Sequence, residues 1–280
     1  MKIGIVGLGL MGGSLAKAIK KHTVHTVYGN DSSTAVLDAA MQDGAIDKIG
    51  NIHECDLVFV CLYPRDTVEY LLNTDFKSTA IVTDICGVKR FISERVSEKL
   101  TKKGIRYVGG HPMAGRELSG FSASNADLFR NASYIICKDE YTDENAVNLL
   151  IELAGEIGFS HFEITTPARH DHIIAYTSQL AHVVSNSYVK NKSVDENTGF
   201  TAGSFEDLTR VAQLNPIMWA ELFAENSDFL VENLDELIHQ LKTMRHAIGQ
   251  KNEKELESML REGSEIKQRL AQAKGKPNRL

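Results

Sequence analysis

Cysteine is scarce in this 280-residue chain: Cys55, Cys61, Cys86 and Cys137 are its only four, and none stands in a C-x-x-C pair. Each falls in or beside a run expected to be a strand. They therefore read as buried, reduced thiols: neither zinc nor disulfide chemistry is indicated, and a cytoplasmic location is expected. No apolar run approaches the ~20 residues needed to cross a bilayer. The start lacks a basic region leading into an apolar stretch and cleavage site. Positive charge is not in excess either. A formal charge of −6 argues against nucleic acid or an anionic membrane as the main partner. Internal repeats and low-complexity segments are absent. What remains is an ordinary globular composition, 42% hydrophobic and 24% charged. Its length exceeds the usual single domain, so two domains are expected.

The opening carries the strongest local signal. Lys2-Ile3-Gly4-Ile5-Val6 is an apolar strand, Gly7-x-Gly9-x-x-Gly12 follows, and an Ala/Leu/Lys helix begins at once. Gly7 permits a tight turn, Gly9 lets the backbone approach a pyrophosphate, and Gly12 lets helix and strand pack closely. The N–H groups at the helix start, at Leu10 and Met11, then face the phosphates. A glycine pattern alone is weak, but the next strand, His25 to Gly29, ends in Asn30-Asp31, and Asp31 lies 19 residues past Gly12. That is the offset of a carboxylate that binds the adenosine ribose of NAD. Asp31 would repel a 2′-phosphate and no Arg follows it, although Lys17, Lys20 and Lys21 on the preceding helix keep NADP open.

To about residue 165, short apolar runs alternate with amphipathic segments. Strands are expected at Lys2–Val6, His25–Gly29, Asp56–Leu62, Ala80–Asp84, Arg106–Gly109, Tyr134–Cys137 and Phe159–Ile164, with helices at 33–42, 65–72, 89–103 and 143–157. Continuous runs such as Leu57-Val58-Phe59-Val60 suit strands covered on both faces. After Thr165-Thr166-Pro167 only helical periodicity is found, at 168–190, 204–212, 216–228, 229–249 and 252–272. Thr166-Pro167 and Asn215-Pro216 are cap-then-proline starts. Leu230, Leu234, Leu237, Leu241, Met244 and Ile248 form a stripe that needs a partner surface. The expected fold is α/β: an N-terminal doubly wound, Rossmann-type, mostly parallel sheet (1–165), then an all-helical C-terminal domain (166–273). A basic tail, 274–280, is expected to fray.

A nicotinamide enzyme needs a substrate site where strand ends meet the second domain. Three segments qualify. In Gly109-Gly110-His111-Pro112-Met113-Ala114-Gly115-Arg116-Glu117, a histidine at a strand's exit can take a proton at neutral pH; locally it also reads as a turn-stabilising residue. In the helix from Arg169, Ser178, Gln179 and His182 share a face, and His182 reads equally as a core histidine. His170 and His172 read as partly solvated or as interdomain contacts. In Gly203 to Trp219, Arg210 offers either a surface pair with Asp207 or Glu206, or a forked clamp for a substrate carboxylate. Trp219, the only tryptophan, reads as core.

Taken together, the glycine start, His111-Pro112-Met113-Ala114-Gly115, the Ser178…His182 helix and Asp207-x-x-Arg210 before Pro216-Ile217-Met218-Trp219 resemble the prephenate dehydrogenase family of tyrosine biosynthesis, over about residues 1–260. The resemblance implies NAD-dependent oxidative decarboxylation of prephenate to 4-hydroxyphenylpyruvate. It implies that His111 accepts the 4-hydroxyl proton, Arg210 holds the ring carboxylate, His182 orients the substrate and Glu117 helps close the site. Ser178 and Gln179 fall at substrate-binding positions. Arg116 near the side chain would favour prephenate over arogenate, whose ammonium it repels. A homodimer through the helical domain is expected. No fused chorismate mutase or added regulatory domain is expected, so any inhibition by tyrosine is expected to act at the cleft.

Two departures stand out. Asp84-Ile85-Cys86-Gly87-Val88-Lys89 has Gly87 where relatives carry a serine that orients the catalytic histidine, leaving the partner of His111 unassigned. Gln179 stands where relatives often have another histidine. Two other readings are a 3-hydroxyacid-type dehydrogenase and a non-catalytic NAD-binding sensor. Residues 168–189 lack the lysine the first would use, and the second has no use for His111, His182 and Arg210.

Overall fold

The computed structural model describes residues 1–196 and 199–274. The expected tail therefore lies, from residue 275, outside the described residues. Apolar runs that must be covered on both faces become the central strands of one eight-stranded sheet. The strands are β1 (Lys2–Val6), β2 (Thr26–Asn30), β3 (Lys48–Ile49), β4 (Leu57–Val60), β5 (Ile81–Asp84), β6 (Arg106–Met113), β7 (Ser133–Cys137) and β8 (His161–Thr165), in spatial order β3-β2-β1-β4-β5-β6-β7-β8. Every pair is parallel except β6–β7. Five helices cross over between the strands: α1 (Leu10–His22), α2 (Thr34–Gln42), α3 (Pro64–Asn73), α4 (Arg90–Lys102) and α5 (Glu144–Glu156). One face buries Ile3, Ile5, Leu57, Phe59 and Ile136 under α1 and α5. The other buries Val58, Val60, Val82 and Tyr107 with Ile92, Val96 and Leu100 of α4. Burial pushes the Cys55, Cys86 and Cys137 thiols up to about 12, far from reactive thiolates.

The strand carrying His111 is longer than expected. β5 ends opposite Gly109, but β6 continues to Met113 because antiparallel β7 pairs His111 with Ile135 and Pro112 with Tyr134. Beyond Gly109 the strand has a neighbour on one side only, where the missing N–H of Pro112 is tolerated. His111 is thus held by a strand rather than by a turn. β3, two residues long, lies below what periodicity reveals.

After β8, Thr166 caps α6 (Pro167–Ile174) by accepting from the Arg169 N–H, 3.3 Å. A π turn (Ala175–Gln179) leads into α7 (Leu180–Tyr188), so the expected helix over 168–190 is one rod with an extra residue inserted just before His182. Helices α8 (Gly203–Thr209), α9 (Pro216–Ala224), α10 (Ser227–Gly249) and α11 (Glu253–Lys274) follow. Asn215 caps α9, its Oδ1 accepting from the Ile217 and Met218 N–H groups at 3.1 Å. Compactness divides the chain at Leu230/Val231. Helices 167–230 are tied to the sheet by the contacts described below. The unit from Val231 is helical and leaves Leu241, Ile248, Leu260 and Leu270 more than half exposed. No helix among the described residues is long and apolar enough to cross a membrane.

Candidate active site

The glycine loop is built by exclusion. Gly7 has φ +85°, and a Cβ there would sit 2.6 Å from the Cys61 carbonyl oxygen. A Cβ on Gly12 would lie 1.9 Å from the Gly7 carbonyl oxygen. No side chain could replace either glycine without moving the turn. Gly9, by contrast, is exposed and has nothing within 4 Å of its missing Cβ. It caps α1 with no side-chain acceptor, and the first turn has no acid, so no carboxylate of the helix start competes for the amides at Leu10 and Met11. This suits a pyrophosphate. Asp31 is locked beside the loop: Oδ2 accepts the Leu8 N–H at 2.8 Å and Oδ1 the Ser33 N–H at 2.9 Å. Each oxygen retains a lone pair for a ribose hydroxyl. Lys17, Lys20 and Lys21, which the sequence leaves open for a 2′-phosphate, are committed to Asp43, Asp47 and Asp127 at 3.2, 2.6 and 2.7 Å.

His111 does have a partner. Its Nδ1 lies 2.8 Å from Nε2 of His170, and Nδ1 of His170 lies 2.7 Å from Oδ1 of Asp171. Asp171 also accepts the Lys89 N–H (2.8 Å) on Oδ1 and the Arg90 N–H (2.9 Å) on Oδ2. It thereby caps α4, whose own N-cap side chain makes no such bond, from 82 positions along the chain. His170 and Asp171 are fully buried, so of the two readings of His170 the partly solvated one falls and the contact with the sheet region, through His111, stands. His172 is exposed and sits edge-on to Phe229.

These distances fix the protons. A carboxylate only accepts, so Nδ1 of His170 must donate to it. Burial holds the His170 imidazole below its usual value despite the opposing pull of Asp171, so its Nε2 carries a lone pair at neutral pH. Nδ1–H of His111 then donates to it. Burial, with His170 and Lys89 adding to it, pushes the His111 imidazole well below the usual histidine value. Neutral His111 therefore keeps its lone pair on Nε2. A Cβ built on Gly87 would lie 3.9 Å from that nitrogen, so glycine leaves this edge without a competing hydroxyl. Beside it, Lys89 and Asp84 form a fully buried ion pair, and Asp84 also accepts from Tyr107 Oη at 2.6 Å and the Cys86 N–H at 2.9 Å.

Helix α9 forms the opposite wall. It is fastened to the loop after β4: Asn215 donates to Tyr63 Oη at 3.0 Å, and Arg65 meets Glu221 through its N–H and Glu225 through its guanidinium. Leu222 packs 3.4 Å from the missing Cβ of Gly87, on the His111 side. Trp219, one turn earlier, stacks on His182 at 3.8 Å between centroids. Trp219 is therefore a half-buried wall of the site rather than core. His182 donates from Nδ1 to the Ser178 carbonyl (2.9 Å), and burial holds its imidazole below the usual value. Ser178 thus acts here through its backbone.

Arg210 lies at the exposed rim, where it donates to Glu117, 2.7 Å away and 93 positions earlier, rather than to Asp207 or Glu206. Both charges act on His182. Arg116 is exposed on the adjoining loop. Gln179 is not at the pocket surface. It is buried, donating to the Leu222 carbonyl at 3.0 Å and accepting from Asn226 at 2.8 Å, which removes it from direct substrate contact. Asn226 also donates to the Asp171 carbonyl at 2.9 Å. The bond from His170 to His111, the parts of Asp171 and Asn226, and the wall position of Trp219 were not foreseen. The one available signal was a His-Asp pair in the first turn of the helix carrying His182.

Among known proteins, the family profile "Prephenate dehydrogenase, nucleotide-binding domain" matches residues 15–161, and "Prephenate dehydrogenase, dimerization domain" matches 166–262. A prephenate dehydrogenase of Bacillus subtilis is 32% identical over 90% of this chain and 71% of its own length. A structure of prephenate dehydrogenase from A. aeolicus, in complex with hydroxyphenyl propionate and NAD+, superposes with a TM-score of 0.86 at 27% identity, covering 96% of this chain and 98% of that one. The arogenate dehydrogenase of Synechocystis superposes with a TM-score of 0.81 at 26% identity, covering 96% and 100%.

Proposed function

The chain belongs to the prephenate dehydrogenase family, and on that premise we propose that it carries out the NAD-dependent oxidative decarboxylation of prephenate to 4-hydroxyphenylpyruvate. The observation that carries the reading is His111: a neutral imidazole whose Nδ1 is engaged and whose Nε2 offers a lone pair beside Gly87. Gly7, Gly9, Gly12, the Leu10 and Met11 amides and Asp31 fit NAD, and the pairing of the α1 lysines disfavours NADP. When bound, NAD+ supplies the hydride acceptor.

In this reading Nε2 of His111 accepts the 4-hydroxyl proton as hydride leaves ring carbon 4, so that carbon takes on carbonyl character, and the electron pair left when the ring carboxylate departs as CO₂ makes the ring aromatic. Arg210 grips that carboxylate with its fork, exchanging Glu117 for substrate, and Glu117 then helps close the mouth. His182, held by Ser178 and Trp219, orients the ring. Because aromatisation drives the reaction, the protein chiefly aligns groups. Arg116 at the rim disfavours an ammonium, so prephenate is the preferred substrate and arogenate the alternative. Residues 1–165 hold the nucleotide, and 166–273 supply the substrate wall and the homodimer contact, which the exposed Leu241, Ile248, Leu260 and Leu270 favour. Four thiols without disulfides support a cytoplasmic setting.

The test is kcat/KM for prephenate and arogenate with NAD+ and NADP+, followed at 340 nm. Turnover of prephenate with NAD+, abolished in His111→Asn with NAD+ binding intact, is expected. Arogenate preference would reject the role of Arg116, and no turnover of either would reject the function.

A further inference from the structure

We propose that His170 and Asp171 are positioning residues for His111, doing from the Nδ1 side what no hydroxyl at position 87 can do here. The inference rests on the reading of His111 as the base, and it assigns a task to a buried pair that reading leaves unused.

The geometry is continuous from a fixed anchor to the reacting atom. Asp171 is immobilised by two backbone N–H groups at the start of α4, and its peptide carbonyl is held by Asn226, which Gln179 holds in turn. His170 bonds Asp171 on one nitrogen and His111 on the other, with no exposed surface beyond a trace. Without an acceptor on its Nδ1 side, neutral His111 is free to place its proton on Nε2, where it would block the acceptor the chemistry needs. The imidazole would also be free to rotate about its side-chain bonds, since the second ring, 5.0 Å away between centroids, is what meets it on that side. Charged and titratable groups facing the pair are Lys89 and Asp84 from the sheet side and Asp171 from α6. Lys89 and Asp84 satisfy one another. None of them offers His111 Nδ1 an alternative acceptor among the described bonds. The relay therefore sets both the tautomer and the aim of the base.

Two substitutions separate this role from a packing role. In His170→Gln the side-chain oxygen reaches the place of Nε2 and still accepts from His111. In His170→Met an apolar chain of similar length accepts nothing. In protein labelled with ¹⁵N-histidine, with His111 assigned by difference against His111→Asn, the wild type should show a protonated Nδ1 and a bare Nε2 at pH 7.5. His170→Gln should keep that pattern, and His170→Met should shift toward protonated Nε2. Turnover of prephenate should fall about 10²-fold in kcat for His170→Met, with KM and NAD+ affinity within about threefold, and no more than about fivefold for His170→Gln. A wild-type His111 protonated on Nε2, a His170→Met enzyme within threefold of wild-type kcat, or equal losses in both variants would overturn the proposal. The nitrogen spectrum reads the relay without turnover. Absence of activity in the wild type would therefore strike the proposed function and leave the spectrum to decide the relay.

Discussion

Replacing Asp171 by Asn removes one formal charge and almost no volume, yet the site gives the amide no good orientation. The two carboxylate oxygens accept three hydrogen bonds, from the Lys89 N–H and His170 Nδ1 on Oδ1 and from the Arg90 N–H on Oδ2. With the amide oxygen in the Oδ1 place, its NH₂ confronts the Arg90 N–H. Turned over, the NH₂ confronts the Lys89 N–H and donates to His170, inverting the tautomers of both histidines. Either way one buried backbone donor is stranded, at about 1–3 kcal/mol. The α4 N-terminus also loses an anion worth about 0.5–2 kcal/mol in a buried setting. The sum is about 1.5–5 kcal/mol, or a fall of roughly 3–9 °C in Tm for a chain of this size. Thermal unfolding followed by circular dichroism at pH 7.5 measures it, and kcat should fall with it in protein that remains folded. A Tm within 1 °C of wild type would refute the claim that Asp171 anchors both helix and relay.

Other perturbations read other parts of the site. Arg210→Ala should raise KM for prephenate about 10–100-fold through loss of a charge-assisted pair, leaving NAD+ affinity unchanged by isothermal titration; an unchanged KM would show that the rim arginine does not meet substrate. Asp31→Ala should weaken NAD+ about 10–50-fold without creating NADP+ affinity, because Lys17, Lys20 and Lys21 stay paired; tight NADP+ binding would contradict this. His111 and His170 are held below their unfolded values, so the unfolded chain binds more protons and stability is lost as pH falls below about 6.5, by up to ~1.4 kcal/mol per pH unit per histidine. Carboxylates such as Asp47 and Asp56, held low, lose their contribution only below about pH 4 and lie outside that window. The urea midpoint should therefore drop between pH 7 and 5.5, less steeply in His111→Gln; a flat profile would show these rings are not kept neutral by burial.

What could be read in advance was local. Gly7, Gly9, Gly12 and Asp31 announce themselves because turn sterics and a fixed offset encode the proposed nucleotide cradle within a few dozen residues. Thr166-Pro167 and Asn215-Pro216 encode helix starts in two. What could not be read depends on partners distant in the chain. β6 runs on to Met113 only because β7 returns antiparallel beside it. Glu117 finds Arg210 across 93 positions, and His111 finds His170 across 59, with no spacing rule to reveal either. The bonds from Asp171 to α4, from Arg65 to Glu221 and Glu225, and from Arg90 to Asp228 join helices 167–230 to the sheet.

The order of groups in the relay resolves a conflict that any histidine base faces. A carboxylate bonded directly to the base would aim it well but raise its affinity for protons, leaving it charged in part of the neutral range. Here the anion sits one imidazole away, and much of its field is spent on two α4 amides and on His170. Burial, with His170 and the charge of Lys89 adding to it, keeps the His111 ring neutral. Asp84 cannot undo this, because Lys89, Tyr107 and the Cys86 N–H already occupy it. Once Nε2 accepts a proton, the new cation lies at the head of a chain ending in a carboxylate that needs no reorganisation to meet it. Orientation comes from the near bond and stabilisation of the charged state from the far one. That division of labour is what a residue unable to take up a proton at position 170 would keep only by half: Gln retains the aim of the base, but it passes none of the charge on to Asp171.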